Sequence, residues 1–190
     1  MTNSPLSQQQ CQQLYDTIHN DGVICYPTEA VWGLGCHPRS ALAFEKVLSL
    51  KQRPKEKGVI LIAATLEQIT PYAKIPDKIR TDVLSVWQDF TTCILPKTDD
   101  CPDYLCGQYG TIAVRLTNYP LLQKLCLATD TALISTSANL NGLSVVEDLT
   151  SAKQLFGIGV DYYLDAPLGG AIKPSRIIDF TKRPSVVVRK

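Results

Sequence analysis

With 190 residues, the chain has single-domain size and can bury roughly 70% of the surface its unfolded form exposes. Its hydrophobic fraction of 45% and charged fraction of 19% are those of an ordinary globular protein. Nineteen Lys+Arg against eighteen Asp+Glu leave a net charge of +1, which excludes a generally polybasic nucleic-acid or membrane-surface binder, so anion binding must come from local clusters.

The start, "MTNSPLSQQQ", is polar and is followed by no apolar core of signal-peptide length, and the longest apolar run is Val59–Ala64. We therefore expect a cytoplasmic protein with no membrane association. Seven scattered cysteines with no C-x-x-C are expected to be reduced and mostly buried. Cys36 and His37 are adjacent in sequence and rarely would such neighbours converge, so no thiol–imidazole pair is expected. Two histidines without ligand spacing predict no protein-built metal site.

In chain order, Ser7 with Gln10 forms a capping box, and Cys11, Leu14, Tyr15 and Ile18 follow at helical spacing. Val23–Tyr26 reads as a buried strand and "PTEAVWGLGCHP" as a loop. A helix over Ser40–Leu50, the strand "VILIAA", a short helix capped by Thr65 with Gln68, and a helix over Asp77–Trp87 come next. "TTCILP" and "TIAVRLT" read as strands around the long loop "KTDDCPDYLCGQYG". A helix over Tyr119–Ala128, the strand "ALISTSAN", a helix over Glu147–Phe156, and the strands "DYYLD", "RIIDF" and "SVVVR" complete the chain. Alternating helices and strands, with strands gathered at the end, predict one α/β domain over residues 1–190 with a mixed sheet.

Several nucleotide-site signatures are missing. No P-loop is present, and "GLG" at 33–35 lacks the third glycine of a dinucleotide fingerprint because Pro38 stands there. Instead, "LKQRPKEKG" places Lys51, Arg53, Lys55 and Lys57 at every second position. In an extended chain these would face one way and suit a polyphosphate; a solvated helix-to-strand turn accounts for them equally. In "ISTSANLNG", Ser135 and Ser137 share a strand face that ends at Asn139, which fits either a polar ligand or a plain turn. Arg115 ends an apolar strand with Thr111 on the same face, so it needs an anion or an open sheet edge. Thr28 and Glu29 directly follow a buried strand, where α/β folds place ligand loops.

Taken in order, "YPTEAVWGLGCHP", "LKQRPKEKGVILIA", "TIAVRLTNYPL", "STSANLNG" and "GGAIKPSRIID" resemble the signature blocks of the YrdC/Sua5 family, in its short bacterial TsaC type. The resemblance implies a twisted mixed sheet flanked by helices, with a positively charged concave face and without the C-terminal Sua5 domain. It implies synthesis of threonylcarbamoyl-AMP and pyrophosphate from L-threonine, bicarbonate and ATP with Mg2+, for threonylcarbamoyladenosine at position 37 of tRNAs reading ANN codons. The partner implied is a t6A transferase complex of TsaD/TsaB/TsaE-type proteins. By the same resemblance Lys51 and Arg53 grip phosphates and are catalytic, while Thr28, Arg115, Ser135 and Ser175 face threonine. Lys51, Arg53, Thr111, Ser137, Asn139 and Arg189 face the nucleotide, and no residue is assigned to a metal. Relatives carry Pro-Gly-Pro where this chain has Gln88-Asp89-Phe90, so a flexible, acidic turn is expected there. The alternative of another class is a non-catalytic RNA-binding or ribosome-maturation factor using the basic face. Carbamoyl-adenylate chemistry on another acceptor, as in hydrogenase-maturation carbamoyltransferases, is a third.

Overall fold

The computed structural model describes residues 6–190. Nine strands form one mixed sheet in the order β7-β1-β2-β6-β3-β5-β4-β8-β9. These are β1 (Ile24–Pro27), β2 (Trp32–Gly35), β3 (Ile60–Ala63), β4 (Thr91–Pro96), β5 (Thr111–Leu116), β6 (Leu133–Ser137), β7 (Tyr162–Tyr163), β8 (Arg176–Asp179) and β9 (Val186–Arg189). The pairs β3/β5, β4/β8 and β1/β7 are parallel and the others antiparallel, as expected of a mixed α/β sheet.

Helices α1 (Gln8–His19) and α6 (Pro120–Ala128) cover one face of the sheet. Their Leu14, Ile18, Leu122 and Leu125 pack with Ile24, Tyr26, Ile62 and Leu133. The other face carries α2 (Ala41–Lys51), α4 (Asp77–Val86) and α7 (Leu149–Phe156), through Phe44, Val47, Val83 and Phe156 among others. Because strand side chains alternate, the two cores take alternate residues: Ile62 faces one and Leu61 the other. Two four-residue helices, α3 (Leu66–Ile69) and α5 (Asp103–Cys106), complete the set. Among the described residues no helix is long and apolar enough to cross a membrane.

The Ser7–Gln10 capping box forms reciprocally at the start of α1. Elsewhere local expectations fail for physical reasons. The segment read as a glycine-rich loop contains β2, whose glycines are packing devices: a Cβ on Gly35 would collide with the Ile134 carbonyl and meet the Tyr26 ring at 2.9 Å. Thr65 precedes α3 without a hydroxyl cap; Gln68 instead accepts from Ala64 N at 2.9 Å and donates to the Cys126 carbonyl at 2.8 Å. The long loop after β4 holds α5, opened by Pro102. The four cations of "LKQRPKEKG" do not lie on one extended segment: α2 runs through Lys51, and Gln52 closes it in the left-handed region at φ 50.

Candidate functional site

Where α1 and α6 stop covering their sheet face, a cavity of about 730 Å³ opens. Strand alternation predicts its walls. On β6, Leu133 lies under the two helices, and Ser135 and Ser137 continue the same face into the cavity. On β5, Ile112 and Val114 enter the opposite core, while Thr111, Ala113 and Arg115 line the cavity. Thr28, Arg53, Ser175 and Arg189 complete the set of expected residues on its wall.

Arg115 is buried. Its Nη1 lies 3.0 Å from Glu29 Oε2, and Phe90 lies 4.7 Å from its guanidinium carbon. The other Glu29 oxygen accepts from Thr117 Oγ1 at 2.7 Å. The Nε of Arg115 has no protein partner. Arg53 donates through Nη2 to the Gly58 carbonyl at 2.9 Å and also keeps a buried, unpartnered Nε. Arg189 grips Ser175 twice, through Nε to the carbonyl at 2.8 Å and through Nη2 to the hydroxyl at 3.1 Å. The same hydroxyl lies 2.8 Å from Thr92 Oγ1. Both Nε atoms are enclosed by protein, and Arg53 and Arg115 line the cavity through the rest of their side chains.

Lys51 and Asn139 stand behind the wall. The Lys51 side chain is buried and donates to the Ser137 carbonyl, to the Asn139 carbonyl at 2.9 Å, and to Asn139 Oδ1 at 3.1 Å. Burial, and secondarily Arg53, lower its ammonium to about 8. Ser137 Oγ also donates to Asn139 Oδ1, at 2.6 Å. Lys51 thus organises the end of β6. Thr28 braces its own turn, donating through Oγ1 to the Val31 carbonyl at 2.6 Å. Lys55 pairs with Glu45 on the surface at 2.6 Å, and Lys57 reaches Asn141 Oδ1 at 3.2 Å.

The turn at Gln88-Asp89-Phe90 is tied down rather than loose: Asn118 Nδ2 donates to the carbonyls of Trp87 at 2.9 Å and Gln88 at 3.0 Å, and Phe90 supports Arg115. Sequence reasoning noted Glu29 only for its place in a loop and missed Thr117 and Phe90. A lone carboxylate beside an apolar strand was the one available signal for Glu29.

The thiols are free. Cys25, Cys36, Cys93, Cys101, Cys106 and Cys126 are buried, and Cys106 contributes to the cavity wall. Burial pushes the Cys36 thiol up to about 12, and the His37 Nδ1 accepts from Arg39 N at 3.0 Å, so the two form no reactive pair.

Among the described residues, no three His, Cys, Asp or Glu side chains converge on a metal position. Of the carboxylates beside the cavity, Glu29 is engaged by Arg115 and Thr117, and Asp179 accepts through one oxygen, Oδ1, from the backbone and hydroxyl of Thr181 at 2.8 and 2.6 Å. A dedicated protein cage for Mg2+ does not fit these residues.

Fold and site together define an α/β domain whose sheet carries a concave, arginine-lined pocket. The chain belongs to the Sua5/YciO/YrdC family, whose profile, described as "Telomere recombination", matches residues 16–190. It is 48% identical over 160 residues to a threonylcarbamoyl-AMP synthase of Pseudoalteromonas translucida, covering 83% of this chain and 86% of the relative. It is 44% identical over 165 residues to that of Marinobacter nauticus, covering 86% and 87%. Among solved structures, P. abyssi Sua5 complexed with L-threonine superposes with a TM-score of 0.87 at 25% identity, over 96% of this chain but only 54% of that one. E. coli YciO superposes with a TM-score of 0.81 at 26% identity, over 97% and 90%.

Proposed function

We propose that this chain is an L-threonylcarbamoyladenylate synthase, which makes threonylcarbamoyl-AMP and pyrophosphate from L-threonine, bicarbonate or CO2, and ATP. The observation that carries the reading is the convergence of Arg53, Arg115 and Arg189 with Thr28, Thr111, Ser135, Ser137 and Ser175 on one cavity. That set suits two anions held side by side, a carboxylate and a polyphosphate. The similarity to threonylcarbamoyl-AMP synthases supports the choice of reaction, and the L-threonine complex of P. abyssi Sua5 supports the choice of amino acid.

In the reaction, the threonine amine adds to CO2 and loses a proton to give a carbamate. A carbamate oxygen then forms a bond to the α-phosphorus of ATP as the bond from that phosphorus to the bridging oxygen breaks, and pyrophosphate departs with the electron pair. No covalent enzyme intermediate is needed. Arg115 takes the threonine carboxylate, with Thr28, Ser135 and Ser175 beside it. Arg53 and Arg189 face the phosphates, with Thr111 and Ser137 along the nucleotide. Lys51 acts by holding Ser137 and Asn139 in place. Their contribution is positioning and preorganised charge stabilisation. Mg2+, as part of the ATP substrate, would supply charge neutralisation of the phosphates. The product is an activated acyl phosphate for a tRNA-modifying transferase complex in the cytoplasm.

Pyrophosphate release by the purified protein tests the reading. It should require threonine, bicarbonate and ATP together; equal release with threonine or bicarbonate omitted would refute it.

A further inference from the structure

The three guanidinium groups on the cavity are not equivalent. Arg53 and Arg189 are bonded to neutral groups, the Gly58 carbonyl and Ser175. Arg115 alone, among the described residues, meets a carboxylate, with Glu29 Oε2 at 3.0 Å from its Nη1. Both side chains are buried, at 7% and 11% exposure, so the two charges offset each other with little solvent screening.

Glu29 is held in that position by backbone as well as by charge. Its carbonyl accepts from Ala171 N at 2.8 Å, and Gly169 N donates to the Thr28 carbonyl at 2.9 Å. Gly169 lies so close that a Cβ there would sit 2.8 Å from the Glu29 Cα. Thr117, itself buried, fixes the second carboxylate oxygen. Phe90 covers the guanidinium face, while the Nε–H of Arg115 keeps no protein partner.

We propose that Glu29 is a positioning and specificity residue that sorts the two anionic substrates within one cavity. This rests on the reading that Arg115 receives the threonine carboxylate. An unpaired buried guanidinium attracts a triphosphate, with its several charges, more strongly than a monocarboxylate. Paired with Glu29, Arg115 presents almost no net charge at a distance but still offers an oriented donor at short range, from the part of its guanidinium that lines the cavity. A single carboxylate is satisfied by that donor, whereas a polyphosphate is directed to the net positive Arg53 and Arg189. Glu29 therefore keeps the amino-acid subsite free of phosphate.

The test is calorimetric titration of L-threonine with and without inorganic tripolyphosphate, on the unaltered protein and on Glu29→Gln, which keeps the size and the Thr117 contact. In the unaltered protein, tripolyphosphate should shift the threonine Kd by less than about twofold; in Glu29→Gln it should raise it about tenfold, as direct competition. A general loss of structure would weaken both ligands and create no such competition. Thr117→Val, which loosens Glu29 without removing charge, should show the same competition at a smaller, severalfold size, and it stands as the test should Glu29→Gln not fold. If the unaltered protein binds tripolyphosphate but no threonine, the functional reading fails and this inference with it. If it binds both and the variants keep them equally independent, only the role of Glu29 is overturned.

Discussion

Lys51 Nζ donates to both oxygens of Asn139, the carbonyl at 2.9 Å and the side-chain Oδ1 at 3.1 Å, across 88 residues of chain. With the Ser137 carbonyl as the third acceptor, every proton of the ammonium is used. A cation that composition places among surface charges is thereby the clamp that shapes the end of β6. Asn141 N returns a bond to the Lys51 carbonyl at 2.7 Å, so helix α2 and this loop hold each other at two points.

Replacing this clamp should cost stability as well as turnover. Lys51→Met keeps much of the side-chain volume but removes three hydrogen bonds. Asn139 Oδ1 keeps Ser137 Oγ and the Ser137 carbonyl keeps Asn139 N, while the Asn139 carbonyl loses its donor, at about 1–3 kcal/mol for a buried group left unsatisfied. Urea unfolding should show a lowered midpoint with an unchanged slope, and pyrophosphate release should be lost. An unaltered midpoint would mean that water replaces the ammonium at no cost.

The same residue sets an alkaline pH dependence. Burial, then Arg53, lowers Lys51 from 10.5 to about 8 in the folded chain. Between about 8 and 10.5 the unfolded chain therefore binds the extra proton, and the stability contributed by this group rises with pH. Activity should move the other way, because a neutral amine offers two protons to three acceptors. We expect kcat/KM to fall with an apparent pKa near 8, and Lys51→Arg to displace that limb to well above pH 10. Identical alkaline limbs in both proteins would assign the titration to another group.

Arg53→Lys should separate charge from geometry. Lysine keeps the charge but cannot both hold the Gly58 carbonyl and present further fixed donors to the cavity as the planar Arg53 guanidinium does. Affinity for ATP or tripolyphosphate should fall by about 10–100-fold, the scale of a lost charge-assisted hydrogen bond, with the melting temperature close to unaltered. Full affinity in Arg53→Lys would show that only net charge matters at this position.

Ser175→Ala removes the hydroxyl shared by Thr92 and Arg189. The buried Thr92 hydroxyl then has no described partner, and Arg189 keeps only its bond to the Ser175 carbonyl. We expect a loss of about 1–2 kcal/mol in chemical denaturation and weaker threonine binding. Restoration of both by Ser175→Thr would tie the effect to the hydroxyl rather than to packing.

Local sequence determined much of this protein: the α1 capping box, the helical stripe of Leu14 and Ile18, and the strand in which Thr111 and Arg115 share a face while Ile112 and Val114 enter the core. Those features depend on neighbours within one or two turns of chain, where propensity and period act. The ordered blocks that resemble one family supplied the roster of site residues. Tertiary structure decided what each residue does with its polar atoms. Lys51 reads as one of four alternating cations, yet α2 carries it inward and Gln52 turns the chain away from the next three. β2 was hidden because its glycines answer to Ile134, Tyr26 and Thr28 packed against them, and glycine carries no strand signal of its own. Glu29 looks like a loop carboxylate until the fold brings the β1–β2 turn over the sheet to Arg115 of β5, 86 positions away in the chain. Partners so far apart in sequence are chosen by sheet register and burial, which no local window contains.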